Sequence, residues 1–157
     1  GEIDQKTLGI TVRLNYSVKP TLSIQYYGQP FVSAGEYSAF KRITSPRAEQ
    51  YRDRFHLFSG DEISFDEQNE TYRIDENRDG SADYFIDQPN FNFRQFRSNL
   101  IVRWEYIPGS TVYLVWSQNR TGFTSDGNFS FQRDLDRLFE VYPNNVFLLK
   151  ISRWFSI

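Results

Sequence analysis

The densest run of potential ligands in the chain is Asp75-Glu76-Asn77-Arg78-Asp79-Gly80-Ser81-Ala82-Asp83. Its spacing, D-x-N-x-D-G-x-x-D, follows the opening of a calcium loop. Such a loop puts oxygen side chains at positions 1, 3, 5 and 9, a backbone carbonyl at 7 and glycine at 6 for the turn. A hard cation takes about six to eight oxygens. Asp75, Asn77, Asp79 and Asp83 offer side chains and Ser81 its carbonyl, so calcium is the cofactor that the motif fits. The usual Glu at the twelfth position is missing; Ile86 stands there, which leaves Asp87 or a water to complete the shell. The same residues also make a solvated acidic turn, and the sequence leaves both readings open. An ion held here would stiffen a long loop and take no part in catalysis.

Other constellations are weaker. Asp134 with Asp136, or Asp61 with Glu62, are the carboxylate pairs that glycoside hydrolysis would need, but acidic residues in polar loops mostly serve solvation. His56 has no Ser or Cys partner in a recognisable motif and reads as loop or interface structure. There is no phosphate-binding glycine loop and no nucleophile elbow, so no enzyme is expected.

Composition narrows the classes further. Lys and Arg total 18 against 20 Asp and Glu, a net charge of -2, and no polybasic patch exists to hold nucleic acid. Cysteine is absent, which excludes disulfides, thiolate chemistry and Cys-ligated zinc. Methionine is absent even at position 1, so Gly1 is not a natural start, and the chain is expected to be processed or a piece of something longer. The anomaly is aromatic content. Rings make up 18% of the residues in a chain whose mean hydropathy is -0.60.

No run approaches the roughly 18 apolar residues of a membrane helix. A barrel strand, however, needs only about 9–11 residues with every second one apolar, so the chain is best searched by alternation. Leu8, Ile10, Val12, Leu14, Tyr16 and Val18 alternate without a miss against Gly9, Thr11, Arg13, Asn15 and Ser17. Lys19-Pro20 turns the chain, and Leu22, Ile24 and Tyr26 continue the pattern on the way back. Leu100, Val102, Trp104 and Tyr106, then Val112, Leu114 and Trp116, flank a Pro108-Gly109 turn. Phe147, Leu149, Ile151, Phe155 and Ile157 share one face of a last strand that Arg153 interrupts.

The pattern therefore predicts five long strands, at about 8–18, 20–31, 94–106, 110–120 and 145–157. Their connections run short, long, short, long. Residues 32–93 read as a large polar excursion with small hairpins near Tyr37–Ile43, Phe55–Phe58, Ile63–Phe65 and Thr71–Ile74. A helical turn or open loop is expected near Pro46–Arg54. Leu135, Leu138 and Phe139 suggest a short helix within Gln132–Val141.

Short turns alternating with long loops mark transmembrane barrels, and both short turns fall on the periplasmic side if the C-terminus does. Trp154-Phe155-Ser156-Ile157 looks like the aromatic ending that barrel-insertion machinery reads. Trp104, Tyr106, Trp116 and Trp154 lie near predicted strand ends, where an aromatic girdle would sit, although core packing explains each ring equally well. With apolar residues facing lipid, Arg13, Gln25, Arg103, Ser117 and Lys150 would face the lumen. Five strands cannot close in lipid, where the smallest single-chain barrels use about eight. The expected class is thus all-β: an antiparallel transmembrane barrel segment over 1–157, the C-terminal part of a larger barrel, with long extracellular loops. The rival is a soluble calcium-stabilised β-sandwich that binds carbohydrate through exposed aromatics.

Longer stretches carry a family likeness. They include Leu14-Asn15-Tyr16-Ser17, Gln29-Pro30-Phe31, the run from Pro89 to Asn99, Arg103-Trp104-Glu105-Tyr106-Ile107-Pro108-Gly109-Ser110-Thr111 and Asn145-Val146-Phe147-Leu148-Leu149-Lys150. The chain resembles the C-terminal barrel region, itself of unknown function, of large Gram-negative outer-membrane proteins. These carry an N-terminal domain similar to carbohydrate-binding module family 9. The resemblance covers nearly the whole chain and implies a place at the extreme C-terminal end of such a barrel, in the bacterial outer membrane and at the cell surface. The implied partners are outer-membrane lipid, the remaining barrel strands, the N-terminal domain and the barrel-assembly machinery. Any sugar binding that the family implies would sit outside these residues.

Overall fold

The computed structural model describes residues 1–155. Alternating sequences have become antiparallel strands wherever they occur. The first is β1 (Glu2–Gly9), followed by β2 (Val12–Lys19) and β3 (Leu22–Ser38). Next come β4 (Lys41–Ile43), a 3-10 turn (Tyr51–Arg54), β5 (Phe55–Leu57), β6 (Ile63–Asp66), β7 (Thr71–Ile74) and β8 (Tyr84–Asp87). The chain ends with β9 (Phe91–Ile107), β10 (Ser110–Thr124), the helix α1 (Phe131–Glu140) and β11 (Asn144–Ser152). The long strands form one sheet in the order β1-β3-β9-β10-β11, with β2 also paired to β3. It is a sequential meander, and β1/β2 and β11 remain its edges.

The five expected strands are present in the expected order, but their bounds differ. The expected strand 8–18 begins at Glu2 and breaks at Ile10-Thr11. Pro30 lies across the break; it accepts from the Ile10 N–H at 3.1 Å but has no N–H to return. The second and third strands run further than the alternation indicated, to Ser38 and from Phe91, so the excursion spans 39–90 and not 32–93. The last strand stops at Ser152, which leaves Trp154 and Phe155 outside it; the Ser156 and Ile157 of the expected terminal signature lie outside the described residues. Among the described residues the sheet does not close on itself.

The chain divides into two compact units. One gathers residues 1–5, 34–91 and 125–128. It holds the β4–β5 hairpin and the three-stranded β6-β7-β8 sheet. Phe58 and Ile74 are buried in it, and Phe40 and Phe65 pack on Tyr72 at ring separations of 4.5 and 4.8 Å. The short strands β4 to β7 fall close to the expected runs, although Tyr37 and Ser38 belong to β3, and β8 was not anticipated.

The second unit takes most of the long sheet and α1. Its register fixes two faces. Leu14 opposes Tyr26 and Tyr16 opposes Ile24; Leu100, Val102 and Trp104 oppose Trp116, Leu114 and Val112; and these in turn oppose Phe147, Leu149 and Ile151. Every side chain in those rows is apolar or aromatic. Nevertheless Leu14 is 54% exposed, Phe147 69% and Leu149 63%. In a sandwich a second sheet would pack on this face at about 10 Å, and these residues would be core.

The apolar band is finite. Further along the same face Ser98 opposes Gln118, Phe96 opposes Arg120 and Arg94 opposes Gly122. Trp116 therefore marks the upper border of the band and not the end of its strand, because β10 continues to Thr124. Trp116 stacks on Phe147 at 6.0 Å, and its indole N–H donates to Asn145 Oδ1 at 2.9 Å. At the short-turn end Trp104 and Tyr106 lie 6.1 Å apart. There Gly109, at φ 78, meets Trp154, where any β-carbon would strain the turn.

Candidate functional site

Two features could carry function: the acidic loop and the polar face of the sheet. The loop joins β7 to β8 in the first unit. Its ends are tied down by the Asp75 N–H donating to the Glu62 carbonyl at 2.9 Å and the Asp83 N–H donating to the Ile74 carbonyl at 2.8 Å. Between them short acidic side chains fold the backbone around themselves. Asp75 accepts from the Asp79 and Gly80 amides at 3.1 and 2.9 Å. Asn77 Oδ1 also accepts from the Asp79 N–H, at 3.0 Å, and Asp79 accepts from the Ser81 N–H at 2.8 Å. Arg78 and Gly80 take positive φ, which the tight coil requires.

The structure thus brings Asp75, Asn77 and Asp79 together around one set of amides. Ser81 joins through its N–H. Asp83 turns to the Glu76 amide at 2.8 Å. Asp87 is not available as an extra ligand: it pairs with Thr71 at the far end of the β7–β8 ladder, about 10 Å of strand beyond the loop. Among the described residues no three Asp, Glu or His side chains gather as a metal-ligand group. The Ser81 amide, with Asn77 and Arg73 also contributing, holds the Asp79 carboxyl below its ordinary pKa. Arg73 donates to the Gly80 carbonyl.

A residue that the sequence offered only as half of a carboxylate pair organises the same unit. Glu62 is 5% exposed. It accepts from the Ser59 N–H at 2.8 Å and from the Ser59 hydroxyl at 3.1 Å, and it meets His56 Nε2 at 3.0 Å and Arg78 at 3.4 Å. The Ser59 amide is the main reason that its pKa is held down to about 2, with His56 and the Ser59 hydroxyl adding to it. Glu62 is therefore a clamp between the β5 hairpin and the acidic loop, and it is not half of a carboxylate pair with exposed Asp61. Nearby, Glu76 joins Arg42 at 2.9 Å and accepts from the Tyr84 hydroxyl; burial, then Glu76 itself, pushes that phenol up to about 12. Only the spacing Ser59-x-x-Glu62 hinted at the clamp.

Asp134 and Asp136 fare no better as a catalytic pair. Asp134 is fully buried, accepts from the Ser130 N–H at 2.9 Å and is gripped by Arg133 at 3.1 Å, while Asp136 takes Gln132. The first of these contacts fastens the start of α1.

The sheet face opposite the apolar band is mostly polar. A shallow groove is lined by Arg13, Asn15, Gln25, Tyr27, Asn99 and Ile101. A second is lined by Arg97, Asn99, Ser117 and Asn119, among others. Arg13 lies over the Tyr27 ring, and the Tyr27 hydroxyl donates to Gln29 at 2.6 Å. Arg103, Tyr113 and Lys150 form one cross-strand row. The five residues expected on one polar side, Arg13, Gln25, Arg103, Ser117 and Lys150, do share a face. One row departs: Ile101, Val115 and Leu148 are apolar there.

The chain belongs to the family described as a domain of unknown function, DUF5916, whose model matches residues 1–156. No curated protein and no solved structure matches it.

Proposed function

We propose that this member of the DUF5916 family is a segment of an integral outer-membrane β-barrel, supplying about five consecutive strands to a larger barrel. One observation carries the reading. Across β2, β3, β9, β10 and β11 one face is a continuous apolar band whose edge strands stand exposed, and the other face is largely polar. Water penalises so large an apolar surface, whereas hydrocarbon requires it.

The edges support the same reading. In lipid each unpaired backbone N–H or C=O costs several kcal/mol, so β1/β2 and β11 need further strands of the parent polypeptide as partners. β11 is apolar on both faces, with Val146 and Leu148 exposed beside Phe147, Leu149 and Ile151. Such an edge aggregates unless it is paired.

In this reading the short turns at 20–21 and 108–109 face the periplasm, and the connections 39–90 and 125–143 face the cell exterior. Arg13, Gln25, Arg103, Ser117 and Lys150 line a lumen that serves as a pore or as a receptor for carbohydrate or another surface ligand. The family 9-like sugar-binding domain belongs to the same polypeptide, which the barrel-assembly machinery inserts. Calcium on Asp75, Asn77, Asp79, Ser81 and Asp83 stiffens the external excursion.

Leu14→Arg tests the orientation. A charge at the midplane of the lipid face costs about 2–4 kcal/mol, so this variant of the natural polypeptide should be lost from the carbonate-resistant membrane fraction. Asn15→Arg, one residue on and facing the other way, should assemble normally. Normal assembly of Leu14→Arg would overturn the reading.

A further inference from the structure

The apolar band is not equally tall everywhere. On β1 and β2 it runs from Leu8 through Ile10, Val12, Leu14 and Tyr16 to Val18, all exposed. Ten residue steps give about 33 Å of strand, or about 25 Å of height at the usual barrel tilt, which matches the apolar belt of an outer-membrane barrel. On β9 the band runs only from Leu100 to Tyr106. That is about 20 Å of strand and about 15 Å of height. Above Leu100 the same face turns polar except at Phe96, with Ser98, Arg94 and Asn92 in line. Bare, these residues would sit within the belt, level with the upper part of the β2 stripe.

They are not bare. Ser98, Arg94 and Asn92 are all buried. The C-terminal half of α1 and its exit lie on this part of the face. Phe139 packs on Phe96 at 5.3 Å and lies under Arg120 at 5.4 Å. Arg120 donates to the Phe139 carbonyl and, at 3.0 Å, to the Val141 carbonyl, closing the helix C-terminus. A β-carbon on Gly122 would meet Val141 at 3.5 Å. Outward, the helix and its exit present Phe131, Phe139, which is 49% exposed, and Tyr142, which is 91% exposed. Just below them is the Trp116–Phe147 stack that ends the strand-borne band.

From this geometry we infer that α1 is an interfacial helix. It lies across the outside of β9 and β10, and its exposed aromatics enter the headgroup–acyl boundary of the outer leaflet, completing the apolar belt where the strands turn polar. The shortfall on β9 is about 10 Å, and a helix with its side chains is about 10–12 Å across. Tyr142 suits that depth because a phenol has an apolar body and a polar tip, and Phe131 and Phe139 suit it because the apolar face of an interfacial helix is buried at the headgroup–acyl boundary. The helix is short and carries both charge signs, so the strands position it and it does not bind membranes by itself. The inference rests on the barrel reading above and assigns α1 a lipid contact which that reading does not require.

The test exploits the absence of cysteine from this chain. Single nitroxides are placed at Phe139→Cys, Tyr142→Cys, Leu149→Cys and Asn119→Cys in the natural polypeptide, reconstituted in phosphatidylcholine vesicles, with any cysteine elsewhere replaced by serine. Oxygen and a water-soluble nickel chelate are compared as relaxation agents. Both helix-region labels should favour oxygen, at a shallower depth than Leu149, while Asn119 favours the chelate. If Leu149 lies in lipid but positions 139 and 142 favour the chelate as strongly as Asn119, the helix inference falls and the barrel stands. If Leu149 itself favours the chelate, both fall. Tyr142 is almost fully exposed, so its replacement leaves the fold intact and keeps the test decisive if Phe139→Cys is unstable.

Discussion

The long sheet and the 39–90 excursion bury apolar surface in opposite ways. The excursion has a conventional small core: Phe58 and Ile74 inside, aromatic rings stacked around Tyr72, and one carboxylate clamping the loops above. The sheet unit is larger and richer in Leu, Ile, Val and Trp, yet its buried apolar residues among those described are only Val32 and Leu138. Its remaining buried side chains are polar, such as Asn92, Arg94 and Asp134. One region is thus organised as a water-soluble protein is, with apolar groups gathered inward. The other turns its apolar groups outward along a single face. The contrast is the one that the barrel reading predicts for a chain built for two solvents, in which burial within the chain would measure stability in only one of them.

The largest effect that would separate the regions comes from Ile74→Ala. Removing a fully buried isoleucine side chain costs about 2–5 kcal/mol, more than so small a unit can spare. Limited proteolysis should then cut the variant throughout 39–90 while the strands of the long sheet survive. Loss of strand protection as well would mean that the two regions fold as one.

The clamp gives the next effect. Glu62 has its folded pKa held down to about 2, so its contribution is complete above the carboxyl's unfolded value of about 4.3 and is lost as pH falls from there through about 2. Glu62→Gln should show at neutral pH the digestion pattern that the unmodified excursion shows only near pH 2. The sheet's protection should not follow either change.

Much of this division was legible in the residues. Six apolar residues at every second position from Leu8 to Val18 marked extended chain, although the break at Ile10-Thr11 divides it between β1 and β2, and Pro108-Gly109 marked a turn. The upper limit of the band was not legible. Ser98, Arg94 and Gln118 keep the strand's parity while changing its polarity, and alternation alone cannot say that a helix later in the chain lies over this part of the face. The Asp75–Asp83 spacing predicted a tight loop, which it forms. It could not reveal that Asp87 would be carried up the β8 ladder, because that depends on pairing with Thr71. The clamp role of Glu62 was hidden for a similar reason: its partners include His56 and Arg78, and only the fold makes them neighbours.

A smaller effect tests the loop as a cation site. Exposed sites of this kind bind Ca²⁺ at about 10⁻⁴–10⁻³ M. At tenfold excess over the dissociation constant, binding stabilises the folded loop by about 1.4 kcal/mol. Protease cleavage near Gly80 should therefore slow about tenfold with Ca²⁺, and chelator or Asp79→Ala should abolish the gain. An identical digestion rate with Ca²⁺ and with chelator would leave the loop a self-sealed acidic turn. The sheet should be indifferent to the ion, which sharpens the comparison.

The smallest effect lies at the border of the band. Trp116 combines a ring stacked on Phe147 with an N–H bonded to Asn145, apolar below and polar above. Trp116→Phe keeps the ring and removes the hydrogen bond, worth about 0.5–1.5 kcal/mol. If the polarity change at Ser98 and Gln118 marks the membrane interface, the loss should appear as reduced stability of the inserted protein in lipid. Restoring a polar tip with Trp116→Tyr should recover part of it, because a phenol hydroxyl also seeks the headgroup level. If Phe and Tyr at 116 behave alike, the border is set by strand packing alone. An interface there makes Tyr the better residue, because the position must satisfy hydrocarbon on one side and water on the other.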